Sequence, residues 1–280
     1  MRAWIGLPLV CLLSAASIAQ AQQRPLVTED PETVGEGRVL VEAGVDQLRG
    51  LRFPVSGLDG TLTRLPAAGV SIGLSPIAEV QVDGGGRRRL RIGSRHAGPL
   101  AEAVTAAGET TSAADDLVIG TKVRLVPEGA TRPAIGVRVA TRLAAGSVGS
   151  GLGPATTDLF LTGLFAKTIQ SVRIVGNAGV GLLGDPTRAG ERARVLLYGA
   201  SFARALTQGA EVVGEVNGRA NGAALVSPGT ETRSTLRFGG RYTTGPLRLD
   251  AGILLGLATV DAGVGVTAGL TYVFRAFSLP

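Results

Sequence analysis

Ser94 and His96 are the residues whose types and spacing could carry out nucleophilic chemistry. Two positions apart on a strand, they point the same way, so the imidazole could take the serine proton. No carboxylate close in sequence completes a triad, and His96 is the only histidine. The single cysteine, Cys11, lies in the apolar N-terminal stretch, so a metal cluster is not expected. The glycines of "GSGLGPATTD" are not followed by a helix and read as a flexible loop, not a phosphate cradle. No catalytic residue, metal or cofactor is assigned, and a hydrolase stays only as an alternative.

The chemistry carried in quantity is charge on alternate residues. In "GRVLVEAGVDQL", Val39, Val41, Ala43 and Val45 fall on one side, with Glu42 and Asp46 on the other. "DLVIGTKVRL" sets Leu117, Ile119 and Val123 against Lys122 and Arg124, and "AIGVRVATRL" sets Ile135, Val137 and Val139 against Arg138 and Arg142. Asp158, Arg173, Glu211, Glu215, Arg219, Arg237, Arg241, Arg248 and Asp250 recur on the polar faces farther along. The last segment, "AGVGVTAGLTYVF", alternates Val264, Val266, Ala268, Leu270, Tyr272 and Phe274 with Gly265, Thr267, Gly269, Thr271 and Val273. Period two is the pattern of strands whose two faces meet different surroundings.

About twelve strands are expected: 37–48, 66–75, 76–94, 115–126, 132–144, 155–166, 171–183, 191–206, 209–220, 230–243, 246–257 and 262–274. Most approach the roughly 9–11 residues that a tilted strand needs to cross a bilayer. Connections after even-numbered strands are generally short and those after odd-numbered strands longer, as in barrels with short periplasmic turns and long outer loops. The fold class expected is therefore all-β, a transmembrane antiparallel up-and-down β-barrel, its apolar face turned to lipid. A soluble sandwich shares the alternation but has no reason to alternate its loop lengths.

The N-terminus reads as a secretory signal. Met1-Arg2 precedes an apolar stretch from Trp4 to Leu13, and Ala19-Gln20-Ala21 supplies a small-x-small cleavage site before Gln22. The expected organisation is a signal peptide over 1–21, a periplasmic segment over 22–36 and an outer-membrane barrel with a short tail over 37–280. Aromatic residues are only 4% of the chain, with Tyr242, Tyr272 and Phe274 placed for a girdle at the periplasmic strand ends. The net charge of +6 does not by itself indicate a nucleic-acid partner.

Two readings of the inward charges stay open: a hydrated lumen whose arginines favour anionic or polar solutes, and an interior crosslinked by ion pairs that plugs the barrel. "GGGRRRLRIGSRH" holds the densest positive run, Arg87, Arg88, Arg89, Arg91 and Arg95. At the outer rim it could meet lipopolysaccharide phosphates; a solvated strand end is the plainer reading.

"RPLVTEDPETVGEGRVLVEAGVD", "DDLVIGTKVRL", "GSGLGPATTDLFLTGLFAK" and "GLLGDP" resemble a family of bacterial outer-membrane transporters labelled for the meta-pathway of phenol degradation. The resemblance implies an outer-membrane barrel with a transport role and supplies no catalytic residue or substrate. The expectation is a channel passing small anionic or aromatic solutes by passive diffusion. The alternatives are a non-conducting scaffold or adhesin and an outer-membrane hydrolase. The expected partners are outer-membrane lipid, lipopolysaccharide, a small solute and the barrel assembly machinery.

Overall fold

The computed structural model describes residues 24–278, so the proposed cleavage site at Ala19, Ala21 and Gln22 lies outside the described residues. Fifteen β-elements follow in order: β1 (Arg38–Phe53), β2 (Leu58–Leu65), β3 (Gly69–Gly73), β4 (Ala78–Asp83), β5 (Arg87–Arg95), β6 (Thr110–Ala114), β7 (Leu117–Val126), β8 (Ala134–Leu143), β9 (Asp158–Ile169), β10 (Val172–Gly184), β11 (Arg192–Ala205), β12 (Ala210–Ala220), β13 (Arg233–Thr244), β14 (Leu247–Gly256) and β15 (Val264–Arg275). Every pairing is antiparallel, and β15 returns to β1 in register from Arg38↔Arg275 to Arg49↔Val264. The sheet closes on itself and leaves no edge where it closes. Because β2 and β3, β4 and β5, and β6 and β7 are consecutive pieces of single staves, the wall has twelve staves, as the alternation predicts.

Side chains follow the pleat. On β15, Val264, Val266, Ala268, Leu270, Tyr272 and Phe274 are exposed on the outside, while Gly265, Thr267, Thr271 and Val273 are buried. The same outward exposure recurs at Ile119, Val139, Leu161, Val180, Leu196, Val212 and Ile253, making an apolar belt around the barrel. Tyr272 and Phe274 stack obliquely near its lower margin, their ring centroids 5.9 Å apart.

The lower end carries the short turns, 74–77, 170–171, 206–209 and 245–246, with a longer one at 127–133. The upper end carries 96–109, 144–157, 185–191, 221–232 and 257–263, with one tight turn at 54–57. Both ends of the barrel chain, Arg38 and Arg275, meet at the lower end, where the amides of Ala276 and Phe277 donate to the Gly37 carbonyl. Short turns mark that end as periplasmic.

The second, third and fourth staves depart from expectation. Residues 49–65, read as a connection, instead extend β1 to Phe53 and form β2. The reason is packing: Leu51, Leu58, Leu62, Leu90, Leu152 and Ala262 form an apolar cluster on the inward side, so the polar-inside rule fails there. The strand expected over 76–94 breaks at 84–86, and Thr110–Ala114 forms a strand inside a predicted loop.

These breaks lie along one crease across the wall. Pro66 has no N–H to give to a ladder. Gly84 and Gly85 take φ of +103° and +75°, and a Cβ on Gly86 would stand 1.9 Å from the Pro66 carbonyl oxygen. Pairing nevertheless persists through the crease: Ala67 N–H donates to Gly44 (2.7 Å), Gly84 to Ala68 (2.9 Å) and Asp115 to Gly86 (2.7 Å).

Candidate functional site

Of the segment 22–36, expected as periplasmic, residues 24–34 run inside the barrel. Polar wall groups supply partners for an extended chain with no ladder of its own, which is why the segment lies here. Arg24 donates to the Thr267 hydroxyl (2.9 Å) and stands 3.5 Å from Asp250. The carbonyls of Arg24 and Pro25 accept from Arg241 (2.7 Å) and Arg237 (3.2 Å). Val27 and Thr28 donate their N–H groups to Glu215 on β12, and Glu29 exchanges two hydrogen bonds with Asn177 on β10, at 2.7 and 2.8 Å. Asp30 pairs with Arg173, Glu32 with Arg124, and Val34 N–H donates to Glu79 on β4 (2.6 Å). The segment thus passes β15, β14, β13, β12, β10, β7 and β4 before entering β1, one circuit of the inner wall.

This inner belt determines the electrostatics of the lumen. Glu29 is 3.1 Å from Arg138 and 3.6 Å from Lys122, which is fully buried and lies 2.9 Å from Glu79. Thr28-Glu29-Asp30 therefore has a structural role: its carboxylates neutralise wall cations. A buried charge is tolerable only with such pairing.

The structure puts the other sequence-predicted inward charges against the belt or against one another. Glu42 accepts from Thr271 (3.2 Å), and Asp46 accepts from Thr267 (2.7 Å) and from Arg64 (3.2 Å). Arg142 joins Asp116 and Asp158, Arg237 stands 3.3 Å from Glu215, and Arg248 stands 3.6 Å from Glu211. Arg219 differs. Its guanidinium donates to the Gly229 and Glu231 carbonyls (2.9 and 3.0 Å) and makes no ion pair among the described residues.

The five arginines of the basic run do not share a face. Arg88 turns inward to Asp115 (3.4 Å) and Asp116 (3.0 Å), because neighbours on a strand point oppositely. Arg95 is held by the carbonyls of Ala106 and Gly108. Arg87, Arg89 and Arg91 are exposed outside.

Ser94 and His96 do find a carboxylate, Asp59, from the neighbouring strand. The Ser94 hydroxyl donates to Asp59 (2.6 Å), and His96 Nε2 lies 2.9 Å from Ser94 Oγ and 3.0 Å from Asp59 Oδ2. One ring nitrogen faces both partners, so no relay runs across the imidazole as a triad requires.

Three neighbouring cavities occupy the lumen. An upper one of about 320 Å³ lies under the outer loops and brings Leu51, Phe53, Val55, Leu62 and Leu152 beside Arg142, Arg219 and Arg233. It shares Leu51, Arg219 and Arg233 with a central cavity of about 420 Å³ floored by Val27, Thr28 and Glu29. That one shares Val27, Glu29, Arg138 and Arg237 with a third, of about 300 Å³, between the belt and the crease residues Ala67, Ala68 and Gly84. Sequence reasoning missed Arg64, Glu79, Asp115, Asp116 and Arg233; of these, Glu79 occupied a readable inward position.

No family model matches the chain, and no curated protein matches it. Among solved structures it is similar to an outer membrane channel from Pseudomonas putida F1, with a TM-score of 0.59 and 13% identity, covering 88% of this chain and 98% of that one. The translocator domain of the autotransporter NalP from Neisseria meningitidis gives a TM-score of 0.49 and 13% identity, covering 84% and 88%. At 13% identity the likeness to the Pseudomonas putida channel is one of fold. Closed wall, apolar exterior and fold likeness together make this protein an outer-membrane β-barrel.

Proposed function

We propose that the protein is an outer-membrane channel for small amphipathic anions, aromatic carboxylates among them, moving by passive diffusion. The observation that carries this reading is the upper cavity, where an apolar wall of Leu51, Phe53, Leu62 and Leu152 faces Arg219, a cation without an ion pair. A carboxylate entering there would meet charge-assisted donors while its apolar body stays on the leucines. The fold likeness to an outer membrane channel and the resemblance to a transporter family support the same reading.

Liposome swelling with the refolded barrel tests it, using benzoate against benzamide at equal concentration. Faster swelling with benzoate is the expected result. Equal rates would remove the anion preference. A folded barrel that passes neither would favour a second reading, a closed scaffold, which the ion-paired inner belt itself recommends.

A further inference from the structure

The outside of the barrel changes character at the crease. Below it, two cross-strand rows, Ile72↔Val80↔Thr121 and Val70↔Val82↔Ile119, continue the apolar belt. Above it, three rows replace them: Leu65↔Arg87↔Ala114, Thr63↔Arg89↔Ser112 and Thr61↔Arg91↔Thr110. The inward residues between them, Leu62, Leu90 and Thr111, are buried, so these nine positions form the outer surface of β2, β5 and β6.

That surface is a column of three arginines, the upper two flanked by hydroxyls, and none of its nine positions is acidic. Residues two apart on a strand advance about 6.6 Å, so the column runs about 13 Å up the barrel from Arg87 to Arg91. Arg87 spends one donor on the Ser112 hydroxyl (2.8 Å). Among the described residues Arg89 and Arg91 make no hydrogen bond or ion pair through their side chains, whereas Arg88 and Arg95 are engaged elsewhere.

We propose that this face binds the phosphorylated headgroup of the outer-leaflet glycolipid, lipopolysaccharide. The column stands immediately above the apolar belt at the end carrying the long loops, the level at which outer-leaflet phosphates lie. It is part of an open wall, not a pocket, which disfavours a free small ion. A lipid whose tails already lie along Val70, Ile72, Val80 and Val82 brings its phosphates to Arg89 and Arg91 at high effective concentration. Guanidinium forks and neighbouring hydroxyls then supply charge-assisted hydrogen bonds to phosphate oxygens. The inference is independent of whether the lumen conducts.

The test uses the folded barrel in detergent and native mass spectrometry to count bound lipid. The probes are diphosphorylated lipid A, the same lipid stripped of phosphate, and inorganic phosphate as competitor. Wild-type protein is expected to bind diphosphorylated lipid A roughly tenfold more tightly than R89Q/R91Q, the scale of one hydrogen bond to a charged group. R204Q, an outward arginine near the periplasmic end of β11, is expected to bind as wild type does. Retained binding by R89Q/R91Q, or equal binding of the dephosphorylated lipid, would overturn the proposal. Displacement by inorganic phosphate at the lipid's own concentration would overturn it in favour of a free-anion site. Both substitutions leave the inward cluster untouched; should the pair fail to fold, R91Q alone carries the same comparison.

Discussion

The carboxylate of Glu215, on the barrel wall, accepts the backbone N–H of Thr28 at 2.8 Å. Val27 N–H reaches the same carboxylate at 3.0 Å, and Arg237 stands 3.3 Å from it. The wall thus grips the belt by its main chain, while Glu29, Asp30 and Glu32 return the grip through their side chains. The lumen is organised as two complementary surfaces, the belt's carboxylates meeting Lys122, Arg124, Arg138 and Arg173 of the wall.

Removing residues 24–33 is therefore expected to widen the conducting path without dissolving the barrel. No wall stave is formed by that segment, and Lys122, Arg124, Arg138 and Arg173 would be hydrated by entering water, escaping the cost of burial without a partner. Planar-bilayer recording should show a conductance several times that of the full chain. An unchanged conductance would mean that the constriction lies in the outer loops.

Lys122 is expected to be the most costly single wall residue to lose. It is fully buried between Glu79, itself fully buried, and Glu29. K122A leaves the buried Glu79 without its cation and Glu29 with Arg138 alone, a change that costs about 3–5 kcal/mol in comparable sites. Unfolding in denaturant and detergent, followed by circular dichroism, measures it, and K122M/E79Q should recover part of the loss. A cost below about 1 kcal/mol would show that water hydrates the site freely.

The strands that were legible are those with unlike faces. In β15 every outward residue from Val264 to Phe274 is apolar, and glycine or threonine fills most inward places, so one phase fits the whole strand. Above the crease this relation inverts: Leu58 and Leu62 point in while Thr61 and Thr63 point out, and β2 therefore resembled a loop. Arg88 was grouped with its neighbours although alternation alone sends it inward. The inner belt has no period because its partners are wall side chains. Asp59 was invisible beside Ser94 because only strand register joins residues so distant in sequence.

Acid is expected to loosen the outer loops at an unusually low pH. Burial would push the Asp185 carboxyl up, but hydrogen bonds from Ser227, Thr187 and Arg188 outweigh it and bring its pKa down from an ordinary 3.8 to about 2. A depressed carboxylate contributes stability that is fully present above its unfolded pKa and is lost as pH falls through its folded one. The link between loops 185–191 and 221–232 should hold at pH 4 and fail near pH 2. The Thr187 amide resonance in micelles, titrated from pH 5 downward, reports this directly; a midpoint close to 4 would refute it.

Selectivity should depend on Arg219 more than on the better-paired arginines. Arg138 already faces Glu29 and Asp83, and Arg142 faces Asp116 and Asp158, so most of their field is neutralised within the wall. Arg219 bonds only to carbonyls and lines both the upper and central cavities. An unneutralised charge at contact distance in water is worth about 1 kcal/mol, or roughly a fivefold preference. R219Q should lower the chloride-over-potassium permeability ratio by about that factor, with R219E lowering it further. R138Q leaves Asp83 without a cation and Glu29 with Lys122 alone, and should instead disturb the belt, read as conductance noise more than as a change in preference. If R219Q leaves the permeability ratio unchanged while R138Q shifts it, the permeating ion passes by the belt's own carboxylates and the upper cavity is not the selecting chamber.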